Sequence, residues 1–183
     1  MTEQDILNLV NADKWMMDIL HIAEKLNLPD WAIGAGFIRN KVWDCLHGIS
    51  RDRVDTADID LIYFDPNGND ESDDKKLSEQ LKKETGLNWE IVNQIYAHKW
   101  NNLPPYESTK DAISKWPETA TATGIKIENG QLKLIAPYGI NDLVNLIVRP
   151  SPKFISIERV KKRVGQKKWL EKWPKLNLRN LND

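Results

Sequence analysis

The sequence predicts an α+β domain, mixed α/β in character, with a short mixed sheet flanked by helices and a helical extension at its C-terminal end. Three observations predict it. Helical and strand-like stretches alternate through residues 3–96, in the order helix, strand, helix, strand, helix, strand. A hairpin signal, Asn129-Gly130, follows between two apolar runs. The stretch from residue 155 onward is basic with helical spacing. With 183 residues, 40% hydrophobic and 29% charged, the chain suits one soluble globular domain. We read 1–183 as that domain, its core spanning about 15–140 and the basic helix about 155–175.

The elements follow in order. Ile6, Leu9, Val10, Met16, Met17, Leu20, Ala23 and Leu26 recur at three- and four-residue steps, which predicts one amphipathic helix over 3–28. Thr2 with Asp5 forms its capping box, and Asn27-Leu28-Pro29 ends it. Trp31-Ala32-Ile33 reads as a strand, Gly34-Ala35-Gly36 as a tight turn, and Phe37 to Leu46 as a helix closed by His47-Gly48. Residues 50–57 are loop, and Ile59 to Phe64 is a strand. Asp65-Pro66-Asn67-Gly68-Asn69 is a turn. Ser72 to Thr85 is helical, with Ser72 as cap and Gly86 as stop. Trp89 to Tyr96 is the next strand, and Pro104-Pro105 makes 101–106 a loop. Ser108 with Asp111 starts a short helix running to Trp116. Gly124 to Ile127 and Gln131 to Ala136 form the hairpin. Asn141 to Val148 reads as a short helix and Ile155 to Trp173 as a longer basic one.

Charge and cysteine usage narrow the setting. Net charge is −1, so the whole chain has no strong field for nucleic acid. The acidic run Asp70, Glu71, Asp73, Asp74 and the basic run Lys161, Lys162, Arg163, Lys167, Lys168, Lys172 read as solvated helix faces. Cys45 is the only cysteine, which fits a reducing cytoplasm. The first residues lack a signal-peptide layout, and no apolar run nears the ~20 residues of a membrane span. The expected setting is therefore cytoplasmic, without a membrane partner. Eight tryptophans imply either a large packed core or an aromatic-lined cleft.

Asp58-Ile59-Asp60 is the sharpest chemical feature. Side chains alternate along a strand, so Asp58, Asp60 and Ile62 share one face while Ile59, Leu61 and Tyr63 share the other. The two aspartates then sit about 7 Å apart in Cα terms. Two such carboxylates repel, and a cation between them keeps both ionised. Hard oxygen ligands suit Mg²⁺ or Mn²⁺. Gly34-Ala35-Gly36 sits between a strand and a helix, where glycines let backbone approach a phosphate and the helix dipole favours an anion. Arg39 and Asn40 follow within about one turn, and Arg39 can reach a phosphate oxygen. The turn is neither a dinucleotide fingerprint, which needs a third glycine, nor a P-loop, which needs Gly-Lys-Ser/Thr.

A glycine turn, a helix, and Asp-x-Asp on a strand about 22 residues later resemble the polymerase-beta-like nucleotidyltransferase superfamily. The residues that carry the likeness run from Gly34 to Asp44, Asp58 to Asp65, Trp116 to Ala122 and Ala136 to Gly139, within residues 15–175. They look like an uncharacterised bacterial branch of that superfamily. The resemblance implies a minimal nucleotidyltransferase domain. It implies that the glycine turn (Gly34, Ala35, Gly36) with Arg39 and Asn40 binds nucleotide phosphates. It implies that Asp58, Asp60 and a third carboxylate hold the metal and are catalytic. Glu90 suits the third place, because alternation sets it opposite the core residues Trp89 and Ile91. The superfamily's loop often carries a serine that contacts phosphate; Ala35 has no hydroxyl.

The expected function is metal-dependent transfer of a nucleoside monophosphate from a nucleoside triphosphate to a hydroxyl acceptor. Two alternatives stand beside it. One is a catalytically degenerate nucleotide-binding or regulatory module of the same fold. The other is a nucleic-acid adaptor working through the basic C-terminal helix. Lesser features read as structural. Thr119, Thr121 and Thr123 would share a face if extended, as β-branched strand residues do. His98-Lys99-Trp100-Asn101 reads as surface, and Trp169 with Trp173 as helix packing beneath snorkelling lysines.

Overall fold

The computed structural model describes residues 1–54, 56–68, 70–154 and 156–181. Asn69, in the expected turn, and Ile155, at the start of the expected basic helix, lie outside the described residues. The expected first helix is two, α1 (Glu3–Asn11) and α2 (Lys14–Lys25). The Thr2–Asp5 capping box opens α1. Asp13 interrupts the pair: its carboxylate accepts from the Met16 amide and starts α2 afresh.

Strand β1 (Ala32–Gly34), helix α3 (Gly36–His47) and strand β2 (Ile59–Tyr63) follow closely as expected. Helix α4 (Glu71–Thr85) is capped by Asp70 rather than Ser72, because the Asp70 carboxylate takes the amides of Ser72 and Asp73. Gly86 ends it in the left-handed conformation. Strand β3 (Trp89–Asn93) stops short of Tyr96, since Asn93 caps helix α5 (Gln94–Ala97) through the Ile95 amide. A 3-10 turn (His98–Asn101) and α6 (Thr109–Ile113) lead to the hairpin of β4 (Gly124–Glu128) and β5 (Gln131–Ile135). The expected helix over 141–148 is only α7 (Asn141–Val144); Leu146, with φ of 57°, breaks it, and Ile147–Val148 form β6. The expected basic helix is split into α8 (Ile157–Gln166) and α9 (Trp169–Lys172) by Lys168 at φ of 53°. Strand β7 (Asn177–Leu178) pairs in parallel with β6.

The main sheet has the order β3-β2-β1-β4-β5. Only β2 and β3 run parallel, joined across α4, so the sheet is mixed as expected. Ile59, Leu61 and Tyr63 of β2 and Trp89 and Ile91 of β3 point into the main core. That core gathers residues from Ile6 of α1 to Leu176 beyond α9. Ile62 and Val92 point to the opposite face, into two smaller clusters. Alternation thus separates a core face from a second face, and the carboxylates lie on the second.

Two charge and spacing expectations change. Asp74 of the acidic run is buried, not solvated: it accepts from the Tyr63 hydroxyl (2.6 Å), the Tyr96 hydroxyl and the Asn93 amide. Burial, reinforced by the Asp74 carboxylate, pushes both phenols well above their ordinary range. Thr119, Thr121 and Thr123 do not share a strand face. They lie in a turn before β4, with the Thr121 and Ala122 amides donating to the Glu118 carbonyl. No helix among the described residues is long and apolar enough to cross a membrane.

Candidate active site

On the second face of the sheet lies a cleft of about 780 Å³. Its floor carries Asp58, Asp60 and Glu90. Asp60 pairs in register with Glu90 across the parallel β2–β3 ladder, so their side chains emerge side by side. Asp58 precedes β2 and is held through its carbonyl, which accepts from the Thr56 hydroxyl (2.8 Å). One oxygen from each of the three carboxylates lies within 4.8 Å of the others. Burial, then the charges of Asp58 and Glu90, push the Asp60 carboxyl up to about 7. Burial and Asp58 also raise Glu90. These like charges repel, and the set has the hard oxygen donors that a divalent cation needs.

The glycine turn sits beside the carboxylates. Ala35 and Gly36 line the cleft, whereas Gly34 packs behind it. A Cβ on Gly34 would stand 2.4 Å from Trp116 Cη2 and 3.1 Å from the Thr123 carbonyl, so the position needs glycine for packing. Ala35 adopts φ 52° and ψ −118°, a left-handed conformation that costs a non-glycine residue about 1 kcal/mol or more. Its amide is already bonded to the Thr123 carbonyl at 3.2 Å.

Arg39 and Asn40 also line the cleft, but both are nearly buried. The Arg39 Nε donates to Asn40 Oδ1 (3.1 Å) and its Nη1 to Thr121 Oγ1 (2.8 Å). The guanidinium lies 4.4 Å from the centre of the Trp169 ring and 5.2 Å from that of Trp43. Burial draws its pKa down to about 10, while Glu118 opposes that shift.

The opposite wall comes from the basic stretch expected to be a solvated helix face or, in one alternative, a nucleic-acid adaptor. Arg159 and Arg163 of α8, its C-cap Lys167 and Lys168 beyond it line the cleft. Arg163 Nε donates to Glu118, which is fully buried (2.9 Å). Trp169 and Trp173 pack edge-on against Trp43, as the packing reading expected. Trp100 is 55% exposed and also lines the cleft, so the tryptophans serve both core and cleft. The one legible signal was the run of lysines broken by Trp169.

No curated protein matches the sequence. The structure is similar to one solved by NMR and described as revealing a CCA-adding enzyme head domain, with 34% identity, a TM-score of 0.87, and coverage of 98% of this chain and 96% of that one. It is also similar to the Thermotoga maritima CCA-adding enzyme complexed with tRNA (TM-score 0.59, 16% identity, 98% of this chain and 43% of that one). A complex of CCA-adding enzyme with ATP gives a TM-score of 0.56 at 15% identity, covering 98% of this chain and 42% of that one. These last two likenesses show the fold alone, and the chain spans less than half the length of either enzyme. The family described as nucleotidyltransferase matches residues 21–178, and with the head-domain likeness at 34% identity this makes the chain a member of the nucleotidyltransferase family, with a polymerase-beta-like fold.

Proposed function

We propose that this chain is a metal-dependent nucleotidyltransferase, moving a nucleoside monophosphate from a nucleoside triphosphate to a hydroxyl acceptor. The observation that carries the reading is the convergence of Asp58, Asp60 and Glu90 on the cleft floor. Their oxygen donors fit Mg²⁺ or Mn²⁺, and their mutual repulsion favours a cation. Bound there, the ion would supply neutralisation of phosphate charge and a lowered pKa for the acceptor hydroxyl. The chain's own residues do the rest. Gly36 and the N-terminus of α3 face the phosphates with a favourable dipole. Arg39 and Asn40, locked by stacking and by Thr121, keep a positive charge beside the turn. The acceptor hydroxyl releases its proton to solvent, and its oxygen bonds to the α-phosphorus as the bond to pyrophosphate breaks.

The related structures carry tRNA and ATP in their descriptions, so an RNA end and ATP are the first acceptor and donor to try. A catalytically degenerate nucleotide-binding module is the second reading. The strained Ala35, without a hydroxyl and with its amide already bonded, favours it. The test is calorimetric titration of the four ribonucleoside triphosphates, with and without Mg²⁺ or Mn²⁺, on wild type and the Asp58→Ala/Asp60→Ala variant. Metal-dependent binding lost in the variant is expected. Equal binding in both would remove the site from the reading. Binding without turnover on any acceptor would favour the degenerate module.

A further inference from the structure

The cleft has two ends, and strand register decides which residues stand at each. β1 runs antiparallel to β2 with Ile33 opposite Leu61, so the glycine turn after β1 lies where β2 begins, beside Asp58 and Asp60. Ile62 and Val92, in register on the same face, line the cleft about 7 Å farther along. Beyond them β3 runs into α5 and the 3-10 turn His98–Asn101, which carries Trp100. The opposite wall reaches both ends. Arg159 of α8 donates to Asn101 Oδ1 at 2.9 Å, and Trp169 stacks on Arg39 beside the glycine turn.

The end away from the glycine turn is aromatic. Trp100 is 55% exposed, whereas none of the other tryptophans stands exposed. Tyr96 holds its ring edge-on, with centroids 5.8 Å apart, and the Tyr96 hydroxyl is bonded to buried Asp74. The turn that carries it is closed by Asn102 at φ of 53° and by the Leu103 amide, which donates to the His98 carbonyl at 3.1 Å. The His98 ring in turn packs edge-on against Tyr106. Across from Trp100, the Arg159 guanidinium lies 5.3 Å from the centre of the Phe154 ring. An indole fixed from behind, with half its surface in water and a guanidinium nearby, is a platform for a planar ring. Among the described residues that line the cleft, no carboxylate stands beyond Glu90 toward this end. Its charged side chains are Arg159 and Lys115, the latter paired with Asp111.

In nucleotidyl transfer the acceptor oxygen enters the α-phosphorus in line, opposite the departing pyrophosphate. With the phosphates at the glycine turn and the carboxylates between the two ends, the acceptor arrives from the Trp100 end. We infer that Trp100, with Arg159 beside it, is the subsite that selects the acceptor, and that the acceptor's hydroxyl belongs to a nucleoside, free or at the end of a single strand, whose base stacks on the indole. The inference rests on the proposed nucleotidyl transfer. The same surface rejects amino-sugar acceptors, because their ammonium groups would meet Arg159 and find no carboxylate to pair with.

The experiment titrates the full chain, without metal or triphosphate, with adenosine, adenylyl-adenosine, an abasic dinucleotide and kanamycin. Nuclear magnetic resonance follows the indole N–H signals, and affinities come from the backbone amide shifts. Wild type, Trp100→Ala and Trp100→Phe are compared, with circular dichroism to check folding; the indole signal that both variants lose is that of Trp100. Adenylyl-adenosine is expected to shift that signal. Trp100→Ala should weaken binding about tenfold, the usual worth of stacking one base, and Trp100→Phe should keep part of the affinity. Adenosine binding as tightly as the dinucleotide assigns the subsite to a free nucleoside, and weaker binding assigns it to a strand end. Unchanged affinity in Trp100→Ala, equal binding of the abasic dinucleotide, tighter binding of kanamycin, or no binding of adenylyl-adenosine to wild type overturns the subsite. ATP with Mn²⁺ separates donor from acceptor. Trp100→Ala should bind it as wild type does, and a matching tenfold loss would put the donor's base on Trp100 and overturn the acceptor assignment. If wild type binds no triphosphate while the dinucleotide result holds, the transfer reading fails and the base-stacking site survives it.

Discussion

The acidic wall of the cleft draws Asp60 and Glu90 from two hydrogen-bonded parallel strands. The basic wall draws its position from a segment far away in the chain. Trp173 Nε1 donates to Asp44 Oδ1 at 2.8 Å across 129 residues, and Trp169 stacks on Arg39. The basic wall is therefore anchored by buried apolar surface and by a paired buried carboxylate. The acidic wall carries charges that repel one another and that the fold has no need of. Damage to the first should cost stability. Damage to the second should cost chemistry and leave stability alone.

Three changes press on that contrast. Trp173→Ala is the largest, because Trp173 is 1% exposed and packs against Trp43. Its loss should destabilise by about 4 kcal/mol, read as a lowered denaturant midpoint with an unchanged slope. A loss below about 1 kcal/mol would mean that the C-terminal segment is not part of the cooperative unit.

Arg163→Met comes next. It leaves Glu118, fully buried, without its guanidinium partner. We expect a loss of about 3 kcal/mol, at the low end for a stranded buried charge because the Arg163 side chain is 33% exposed. The double variant Arg163→Met/Glu118→Gln should recover part of it. Additive losses in the double variant would show that the pair is not coupled.

Asp60→Asn has the smallest effect on stability. Without metal its melting temperature should match or exceed that of wild type, since one of three opposed charges is gone. With Mn²⁺, wild type should rise by linkage and the variant should not. The pH dependence follows the same logic. Burial and the neighbouring charges raise the Asp60 carboxyl to about 7 in the folded chain, against about 4 unfolded. Between those values the folded chain holds the extra proton, so this group makes metal-free stability fall as pH rises from about 4 to 7. Asp60→Asn should flatten that part of the profile. An equal slope in both proteins would place the titration elsewhere.

The site was legible in parts, for reasons that differ residue by residue. Strand alternation is local, so the core positions Ile59, Leu61, Trp89 and Ile91 set Asp58, Asp60 and Glu90 on the opposite face, while the reading of the three as a metal site came from the family resemblance. The Asn129-Gly130 hairpin and the Gly86 stop were found because turns and caps have their own chemistry. Lys167 was passed over because helical periodicity places it in a lysine-rich, solvated stretch. Nothing in the residues around Lys168 announces a left-handed kink, and that conformation is imposed by where Trp169 must pack. Arg39 was read as a cation in about the first turn, within reach of a phosphate oxygen. The tryptophans that immobilise it stand four and 130 positions away. Asp74 looked solvated because its run is acidic, yet Tyr63, Tyr96 and the Asn93 amide close over it.

The amino-acid sequence by itself determined the mixed sheet, the faces of its strands and the carboxylates they present. These depend on periods of two and 3.6 residues and on short-range turn chemistry, which a linear chain displays directly. Only the tertiary structure decided which cations face those carboxylates. That choice depends on the packing of α8 and α9 against Trp43 and Asp44, and such contacts join residues whose separation along the chain carries no period.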